Sequence, residues 1–443
     1  MLAEARAREI FETVRKASPA DETEVFLEAT QSALTRFANN IIHQNVAEEG
    51  LHLSVRAVAD GRTARAGTNK TDPDSLRRVA ERAAEAARWQ PKDPDLLPLS
   101  GPQSYESVAR FDEPTAALAP EARAQAVEKV VRRAEKCKLT AAGILSNTAS
   151  TQALLNSRGL AAFHRETKAE FSVTYLDGGS GWAKGNFVRA GQLDIEALAA
   201  SACEKALANR EPKEIPPGRY TVILEPAAVL DLVGFLFYDF AATAVNDKRS
   251  CFTDQVGKRV FGENISIWDD VYHPLQAGSA WDGEGMPKRK VPLVERGVLK
   301  NLVYGRQAAK KAGVEPTGHG FLLPNEYGEA PMNLVFAGGD TSLEEMVRAT
   351  RRGVLVTRLW YIREVDPYEK IVTGMTRDGT FLVENGRVQQ AVRNLRFNQS
   401  LKEMLNQVEQ LGPPVRAAGE ESFEMVVPPM RVANFHFTEV TRY

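Results

Sequence analysis

Hydrophobic and polar positions follow two different periods along the start of the chain, and these periods predict its first elements. Residues 3–17 carry apolar side chains at helical spacing, which predicts an amphipathic helix. Over residues 24–65, short runs alternate between apolar and polar side chains, which is typical of antiparallel strands, with an Asp-Gly hairpin turn at 60–61. A second helix is expected after Asp72, because this residue can cap it and Pro73 suits the first helical position.

The next segment repeats this order of elements. Residues 90–102 contain four prolines, which predicts a linker. Beyond it we predict a helix over residues 121–137, strands over residues 139–188 and a helix over residues 194–208. Duplication of one unit and a merely common supersecondary pattern both explain the repeat.

One glycine-rich stretch in the second unit superficially resembles a phosphate-binding loop. Residues 179–185 read Gly-Ser-Gly-Trp-Ala-Lys-Gly, without the Gly-Lys-Ser/Thr ending that such loops require. We interpret the stretch as a long hairpin loop between two strands.

A second break, at residues 210–218, precedes the largest part of the chain. The pattern there predicts a strand over residues 219–225 and a buried helix over residues 226–246. Many short strands separated by glycine turns follow, with a helix over residues 401–411 and a final strand over residues 426–437.

These elements predict an α+β fold, in which two helix–antiparallel-meander–helix segments are followed by a strand-rich C-terminal domain. The expected division is an N-terminal domain 1–89, a linker 90–102, a middle domain 103–209, a linker 210–218 and a C-terminal domain 219–443.

Charge and cysteine content exclude several classes of protein. The 443 residues carry a formal net charge of -2, which argues against nucleic-acid binding. The three cysteines show no CxxC spacing, so a disulfide scaffold is excluded and a reducing compartment is expected. The most apolar stretch, residues 227–245, is interrupted by Asp231 and Asp239, and the start of the chain lacks the pattern of a signal peptide. We therefore predict a soluble cytoplasmic protein without a membrane contact.

Candidate metal ligands are scattered. No two of the six histidines lie three to five residues apart, so the sequence offers no local metal motif. Two interpretations remain. The histidines are isolated residues without a metal, or distant segments assemble a metal site with His319, His436 and Cys251 as candidate ligands.

Two carboxylates stand close together in the stretch Trp-Asp-Gly-Glu-Gly at 281–285. Asp282 and Glu284 would face the same side of a strand and supply an acid and a base, or a cation site. The two glycines equally favour a tight loop in which the carboxylates bond backbone amides. His319 stands between two glycines, which allow close backbone approach or simply form a flexible turn, whereas Asp269-Asp270 is interpreted as an exposed turn.

Residues 216–411 resemble the C-terminal domain of the TldD/PmbA family, in which TldE is another name for PmbA. The similarity rests on motifs in family order, and the opening segments resemble the family's first and middle domains. The motifs are Trp281-Asp-Gly-Glu-Gly-Met-Pro287, Val294-Glu-Arg-Gly-Val-Leu-Lys-Asn301, Thr317-Gly-His, residues 333–340, Arg352-Gly-Val-Leu-Val-Thr357 and Val383-Glu-Asn-Gly386.

This resemblance implies a function class. TldD-like and PmbA-like chains, once called modulators of DNA gyrase, pair as a metallopeptidase that degrades unfolded peptides and matures modified ones. The TldD-like chain carries His-Glu-x-x-x-His on the helix after the first strand of the third domain, with a later cysteine as third ligand. In this chain the corresponding residues 227–240 contain neither histidine nor glutamate, and no cysteine follows Cys251. The chain thus resembles the PmbA/TldE-type partner.

The resemblance leads us to expect a metal-less subunit that works on peptides beside a TldD-like partner, which supplies zinc. No cofactor and no catalytic residue are expected in this chain, and Asp282, Glu284 and His319 are expected to face the peptide chamber. An Asp282→Ala change should then reduce activity without unfolding the chain. Two alternatives stay open: a non-enzymatic homodimeric peptide-binding or scaffold protein, and a stand-alone hydrolase with a distributed metal site.

Overall fold

A computed structural model describes residues 1–441 and confirms the α+β class, with a strand-rich carboxyl-terminal part. The amino-terminal half contains two units of similar order. The first unit consists of α1 Glu4–Ala17, β1 Glu22–Ala38, β2 Ile41–Ala59, β3 Arg62–Thr68 and α2 Pro73–Arg88. The second consists of α3 Glu113–Ala116, α4 Pro120–Cys137, β4 Thr140–Asn156, β5 Ala161–Leu176, β6 Ser180–Phe187 and α5 Ile195–Ala208.

Local sequence signals account for the boundaries of the first unit. The side chain of Asp72 accepts a hydrogen bond from the N–H of Ser75, and Pro73 opens α2, as the sequence predicts. Asp60 and Gly61 both adopt positive φ, of 50° and 72°, in the hairpin turn between β2 and β3. Both expectations are confirmed.

The two units share one six-stranded sheet. Its order is β3-β2-β1-β4-β5-β6, and β1 pairs with β4 in antiparallel fashion at its centre, where Leu27 faces Ala153. Each unit therefore contributes its first strand to the middle of the sheet and its third strand to an edge. α1 and α2 cover the first unit, whereas α4 and α5 pack on the second.

The predicted hairpin loop over residues 179–185 is wrong. Only residues 177–179 form the turn, and β6 begins at Ser180 and pairs with β5 along its whole length. The glycines serve close packing instead of phosphate binding. A Cβ atom on Gly181 would lie 2.2 Å from the carbonyl oxygen of Ala202 in α5, so only glycine allows this contact.

The carboxyl-terminal part contains mostly short elements, together with the long strands β12, β13 and β19, around a large core. In chain order they are β7 Gly218–Leu224, α6 Pro226–Val233, α7 Ala242–Asn246, β8 Ile267–Asp269, β9 Val291–Glu295, β10 Val298–Leu299, α8 Arg306–Ala312, β11 Leu334–Phe336, α9 Leu343–Arg348, β12 Arg352–Asp366, β13 Ile371–Glu384, β14 Arg387–Ala391, β15 Leu395–Ser400, α10 Leu401–Asn406, β16 Val408–Leu411, β17 Val415–Ala417, β18 Met425–Val427 and β19 Met430–Val440.

Five of these strands close into a small barrel. β7 pairs with β12 and β19, β19 pairs with β15, β15 pairs with β13, and β13 returns to β12. A second sheet has the order β10-β9-β8-β11-β18-β17. One hydrophobic core joins the barrel, this sheet and α6 through side chains such as Val356, Ile267 and Val233.

Two predicted helices are shorter in the structure. The single helix expected over residues 226–246 ends at Val233 and continues as a 3₁₀ turn, Gly234–Phe240, before α7. Asp239 fixes this segment because it accepts a hydrogen bond from the N–H of Cys251 and pairs with Lys370 at 2.6 Å.

The helix expected over residues 401–411 ends at Asn406, because the following residues form β16 and pair with β19. The final strand expected over residues 426–437 is divided by two prolines into β18 and β19.

The predicted linker 90–102 contains no helix or strand. The predicted linker 210–218 contains one isolated bridge, between Lys213 and Val392, and its last residue, Gly218, begins β7. The domain boundaries stay predictions, and the last two residues of the expected domain 219–443 lie outside the described part. Within residues 1–441, every helix is too short or too polar to cross a bilayer.

Candidate functional site

Two turns of the carboxyl-terminal part meet beside the amino-terminal sheet and carry the residues that the sequence singles out. Asp282 and Glu284 lie in the turn formed by residues 281–287, and His319 lies in the irregular segment 317–330 after α8. The structure therefore brings all three into one region of the molecule.

The carboxylate of Asp282 organises the first turn. Its Oδ1 accepts hydrogen bonds from the N–H groups of Glu284 and Met286, at 2.9 and 2.8 Å. Its Oδ2 accepts the N–H of Gly320 at 2.7 Å, which ties the first turn to the second. Burial raises the pKa of Asp282. Of the two interpretations left open by the sequence, the structure favours the loop in which this carboxylate bonds backbone amides.

Glu284 is directed to the start of α8. Its Oε1 accepts the N–H of Arg306 at 2.9 Å, and the Arg306 guanidinium lies 4.0 Å from Oε2. Burial, together with the neighbouring carboxyl of Asp282, raises the pKa of Glu284 to about 7. A carboxyl group with this pKa exchanges a proton near neutral pH.

His319 is buried and bonded at both ring nitrogens. Nε2 lies 2.9 Å from Oδ1 of Asp269, and Nδ1 lies 2.9 Å from the hydroxyl of Thr317. The interpretation of Asp269-Asp270 as an exposed turn is wrong. Asp269 ends β8 with no exposed surface, and its Oδ2 accepts the N–H of Asn333 at 2.6 Å. Sequence reasoning missed Asp269 because both of its partners are distant in the chain.

A cavity of about 500 Å³ opens between the two turns and the amino-terminal sheet, and we name it the junction cavity. Asp282 and His319 line it, whereas Glu284 does not. Its other lining residues are mostly apolar and include Phe26, Trp281, Phe321, Leu322, Ala330 and Met332.

Lys288 also lines the junction cavity and was missed by sequence reasoning, although it directly follows the turn motif. Its ammonium group donates a hydrogen bond to Oδ1 of Asn333 at 3.0 Å. Burial lowers the pKa of Lys288. The cavity thus combines apolar walls with several polar side chains, among them this amine, which suits a group that is part apolar and part polar.

The predicted linker 90–102 and the chain just beyond it hold the first turn in place. The hydroxyl of Ser100 donates to the carbonyl oxygen of Glu284 at 2.6 Å, and that of Tyr105 donates to the carbonyl oxygen of Gly285 at 2.8 Å. The irregular connection therefore positions the site as well as joining two units.

The distributed metal site considered from the sequence is not assembled. Cys251 lines a different cavity from His319, and burial raises the pKa of its thiol. His436 lies on β19, where its backbone N–H donates to the side chain of Gln399. Among residues 1–441, no three His, Cys, Asp or Glu side chains cluster closely enough to hold a metal ion.

The resemblance to TldD-like chains implies that their metal ligands lie on the helix after the first strand of the carboxyl-terminal part. In this protein the corresponding residues 227–240 form most of α6 and the 3₁₀ turn after it, and Leu230, Leu232 and Val233 are buried in the core. Asp239, in the 3₁₀ turn, is paired with Lys370.

Asp231 is the one titratable residue of α6. Its Oδ1 accepts the N–H of Glu421, and burial raises its pKa to about 7. A lone carboxyl among apolar side chains does not fit zinc, which takes four ligands.

Three family models match consecutive parts of the chain. They are described as PmbA/TldA metallopeptidase domain 1, at residues 23–87, the central domain, at 110–210, and the C-terminal domain, at 217–439.

Relatives extend this similarity. A metalloprotease of Methanothermobacter thermautotrophicus is 26% identical over 303 residues, which cover 62% of this chain and 64% of that protein. The match therefore spans less than two thirds of that relative's length. Metalloprotease PmbA of Escherichia coli O157:H7 is 22% identical over 402 residues, covering 86% of this chain and 85% of that protein.

The fold is similar to that of a solved structure. The crystal structure of TldE from Thermococcus kodakarensis superposes with a TM-score of 0.88 at 22% identity, covering 99% of this chain and 100% of that chain. Since the three family models together match most of the sequence, this chain belongs to the PmbA/TldD metallopeptidase family.

Proposed function

We propose that this chain is the metal-less, PmbA/TldE-like subunit of a TldD/TldE-type metallopeptidase that degrades or matures unfolded or modified peptides. The observation that carries this proposal is the composition of α6, where core side chains and the single carboxyl of Asp231 stand in place of metal ligands. The catalytic zinc and its activated water are assigned to a TldD-like partner. Relatives of this chain are named metalloproteases, and these names support peptide-bond hydrolysis as the reaction class.

The junction cavity is the part of this chain that we assign to peptide handling. Its walls offer apolar contacts from Phe26, Trp281 and Met332, and the amine of Lys288 offers a polar contact. Such a cavity accepts one side chain of an extended peptide, while the backbone of the peptide bonds to strand edges. Asp282 and His319 contribute by holding the cavity wall in shape through their buried hydrogen bonds.

Reconstitution tests the proposal. The purified chain, a TldD-like chain from the same genome, and their mixture are each incubated with an unfolded fluorescent peptide. Cleavage is expected only in the mixture, and only while the partner keeps its histidine metal ligands. Cleavage by this chain alone would contradict the proposal. Peptide binding without cleavage in the mixture would favour the non-enzymatic peptide-binding or scaffold protein.

The role of the junction cavity is tested by a variant at its mouth. Met332 is 38% exposed and lines the cavity, so Met332→Glu should raise the KM for peptide cleavage by about tenfold without changing the melting temperature. Val388, which is 46% exposed on β14 and does not line the cavity, provides the matched control V388E. Equal KM values for the two variants would contradict the role of the cavity.

A further inference from the structure

Two of the three cysteines meet where α4 packs against α5, although they lie 66 positions apart in the sequence. Cys137 is the last residue of α4, and Cys203 lies within α5. The S–H group of Cys203 donates a hydrogen bond to Sγ of Cys137 at 3.2 Å. The two sulfur atoms therefore need to approach by only about 1 Å to form a disulfide bond.

The two thiols differ in their access to solvent. Cys203 is 3% exposed, whereas Cys137 is partly exposed and lines a surface cavity of about 330 Å³. Four basic side chains line the same cavity against one acidic residue, Glu196; they are Lys129, Arg132, Arg133 and Lys136. Cys137 is therefore the sulfur that a dissolved oxidant reaches, whereas Cys203 is screened from it.

The thiol of Cys203 is buried and protonated. Burial, together with the hydrogen bond to Cys137, raises the pKa of Cys203 to about 11, so this residue keeps its proton. Its S–H group is directed at the sulfur of Cys137. An accessible nucleophile beside a protonated resolving thiol is the arrangement of redox-sensing cysteine pairs.

We propose that Cys137 and Cys203 form a redox-active dithiol that reduces small hydroperoxides and is thereby converted to a disulfide joining α4 to α5. This inference does not rest on the proposed function. In the first step the Cys137 thiolate attacks one peroxide oxygen, an S–O bond forms, the O–O bond breaks, and the leaving oxygen takes up a proton as water or an alcohol. In the second step the sulfur of Cys203 attacks, an S–S bond forms, the S–O bond breaks, and water leaves with the Cys203 proton. The peroxide gains two electrons, and the two thiols lose them.

Oxidation of the purified full chain with hydrogen peroxide tests the proposal. Mass spectrometry of the intact chain should show the loss of two hydrogen atoms, and peptide mapping should locate a disulfide between Cys137 and Cys203. The C203S variant should instead stop at the sulfenic acid, which dimedone traps at Cys137. The C137S variant should show neither product.

A matched control separates this pair from general thiol oxidation. Cys251 is 7% exposed and lies in another core, so the C251S variant should form the same disulfide at the same rate as the unchanged chain. Oxidation of Cys137 no faster than that of Cys251 would overturn the proposal.

Discussion

The carboxylate of Asp282 shows how a single side chain shapes this site by holding backbone. It accepts three N–H groups, from Glu284, Met286 and Gly320, and in this way joins two turns that are distant in sequence. An alanine at this position leaves three donors without their acceptor. The expectation that Asp282→Ala leaves folding intact is therefore revised.

We predict that Asp282→Ala lowers the free energy of unfolding by about 3 kcal/mol or more, because buried donors lose their partner. Urea unfolding followed by tryptophan fluorescence measures this change. Asp340 is exposed, and D340A provides the control, which should remain within about 0.5 kcal/mol of the unchanged chain. A D282A variant as stable as the control would show that the turn does not depend on this carboxylate.

Glu284 makes stability depend on pH. Its pKa rises from the ordinary value of 4.5 to about 7 on folding, so the folded chain holds the proton more tightly than the unfolded chain does. The resulting stabilisation is complete below pH 4.5 and is lost as the pH rises through 7. The shift corresponds to a loss of about 3 kcal/mol.

We predict that Glu284→Gln removes this part of the pH dependence. The difference in unfolding free energy between the unchanged chain and E284Q should therefore shift by about 3 kcal/mol in favour of E284Q between pH 4.5 and pH 8. Urea unfolding at a series of pH values measures it, and E344Q, at an exposed position on α9, serves as the control. Parallel stability profiles for the unchanged chain and E284Q would contradict the assigned pKa.

The sequence indicates some site residues and not others, for a physical reason. Asp282 and Glu284 stand in one compact motif, so local spacing draws attention to them. Asp269 is hydrogen-bonded to His319, which lies 50 positions later in the sequence, and Lys288 is hydrogen-bonded to Asn333, which lies 45 positions later. Such contacts arise only when the chain has folded, and no local pattern contains them.

At the scale of elements, the contact between β6 and α5 provides a direct test of packing. A Cβ atom at Gly181 would lie 2.2 Å from the carbonyl oxygen of Ala202 and 2.3 Å from the backbone nitrogen of Ala206. We predict that Gly181→Ala lowers the free energy of unfolding by about 1–3 kcal/mol, because the strand and the helix must separate. Chemical unfolding measures this loss.

The matched control for this change is G191A. A Cβ atom at Gly191 meets nothing within 4 Å, so this variant should keep the stability of the unchanged chain. Equal stability of the two variants would contradict the close approach of β6 and α5.

Elements with strong local signals are predicted well, and elements fixed by distant partners are not. The start of α2 follows from Asp72 and Pro73 alone, and the structure agrees. The segment 226–246 has the apolar composition of one helix, but Asp239 breaks it by pairing with Lys370, which is remote in sequence. Residues 408–411 likewise become a strand because β19 offers a partner.

At the scale of the whole molecule, the amino-terminal sheet and the carboxyl-terminal part meet at the junction cavity. Trp281 packs in one cluster with Phe26 and Leu154 of the sheet, and Ser100 and Tyr105 bond the turn that contains Trp281. The order of the units was predictable from repeated patterns. The pairing of the two units in one sheet was not predictable from the sequence, because β1 and β4 pair through residues more than 100 positions apart.

Native mass spectrometry decides whether the catalytic metal belongs to a partner or to this chain. The untagged chain, never exposed to chelator, is measured alone and after mixing with a TldD-like chain in the presence of zinc. We predict no zinc in the chain alone and one zinc ion in each complex of the two chains. Stoichiometric zinc bound to the chain alone would contradict this prediction.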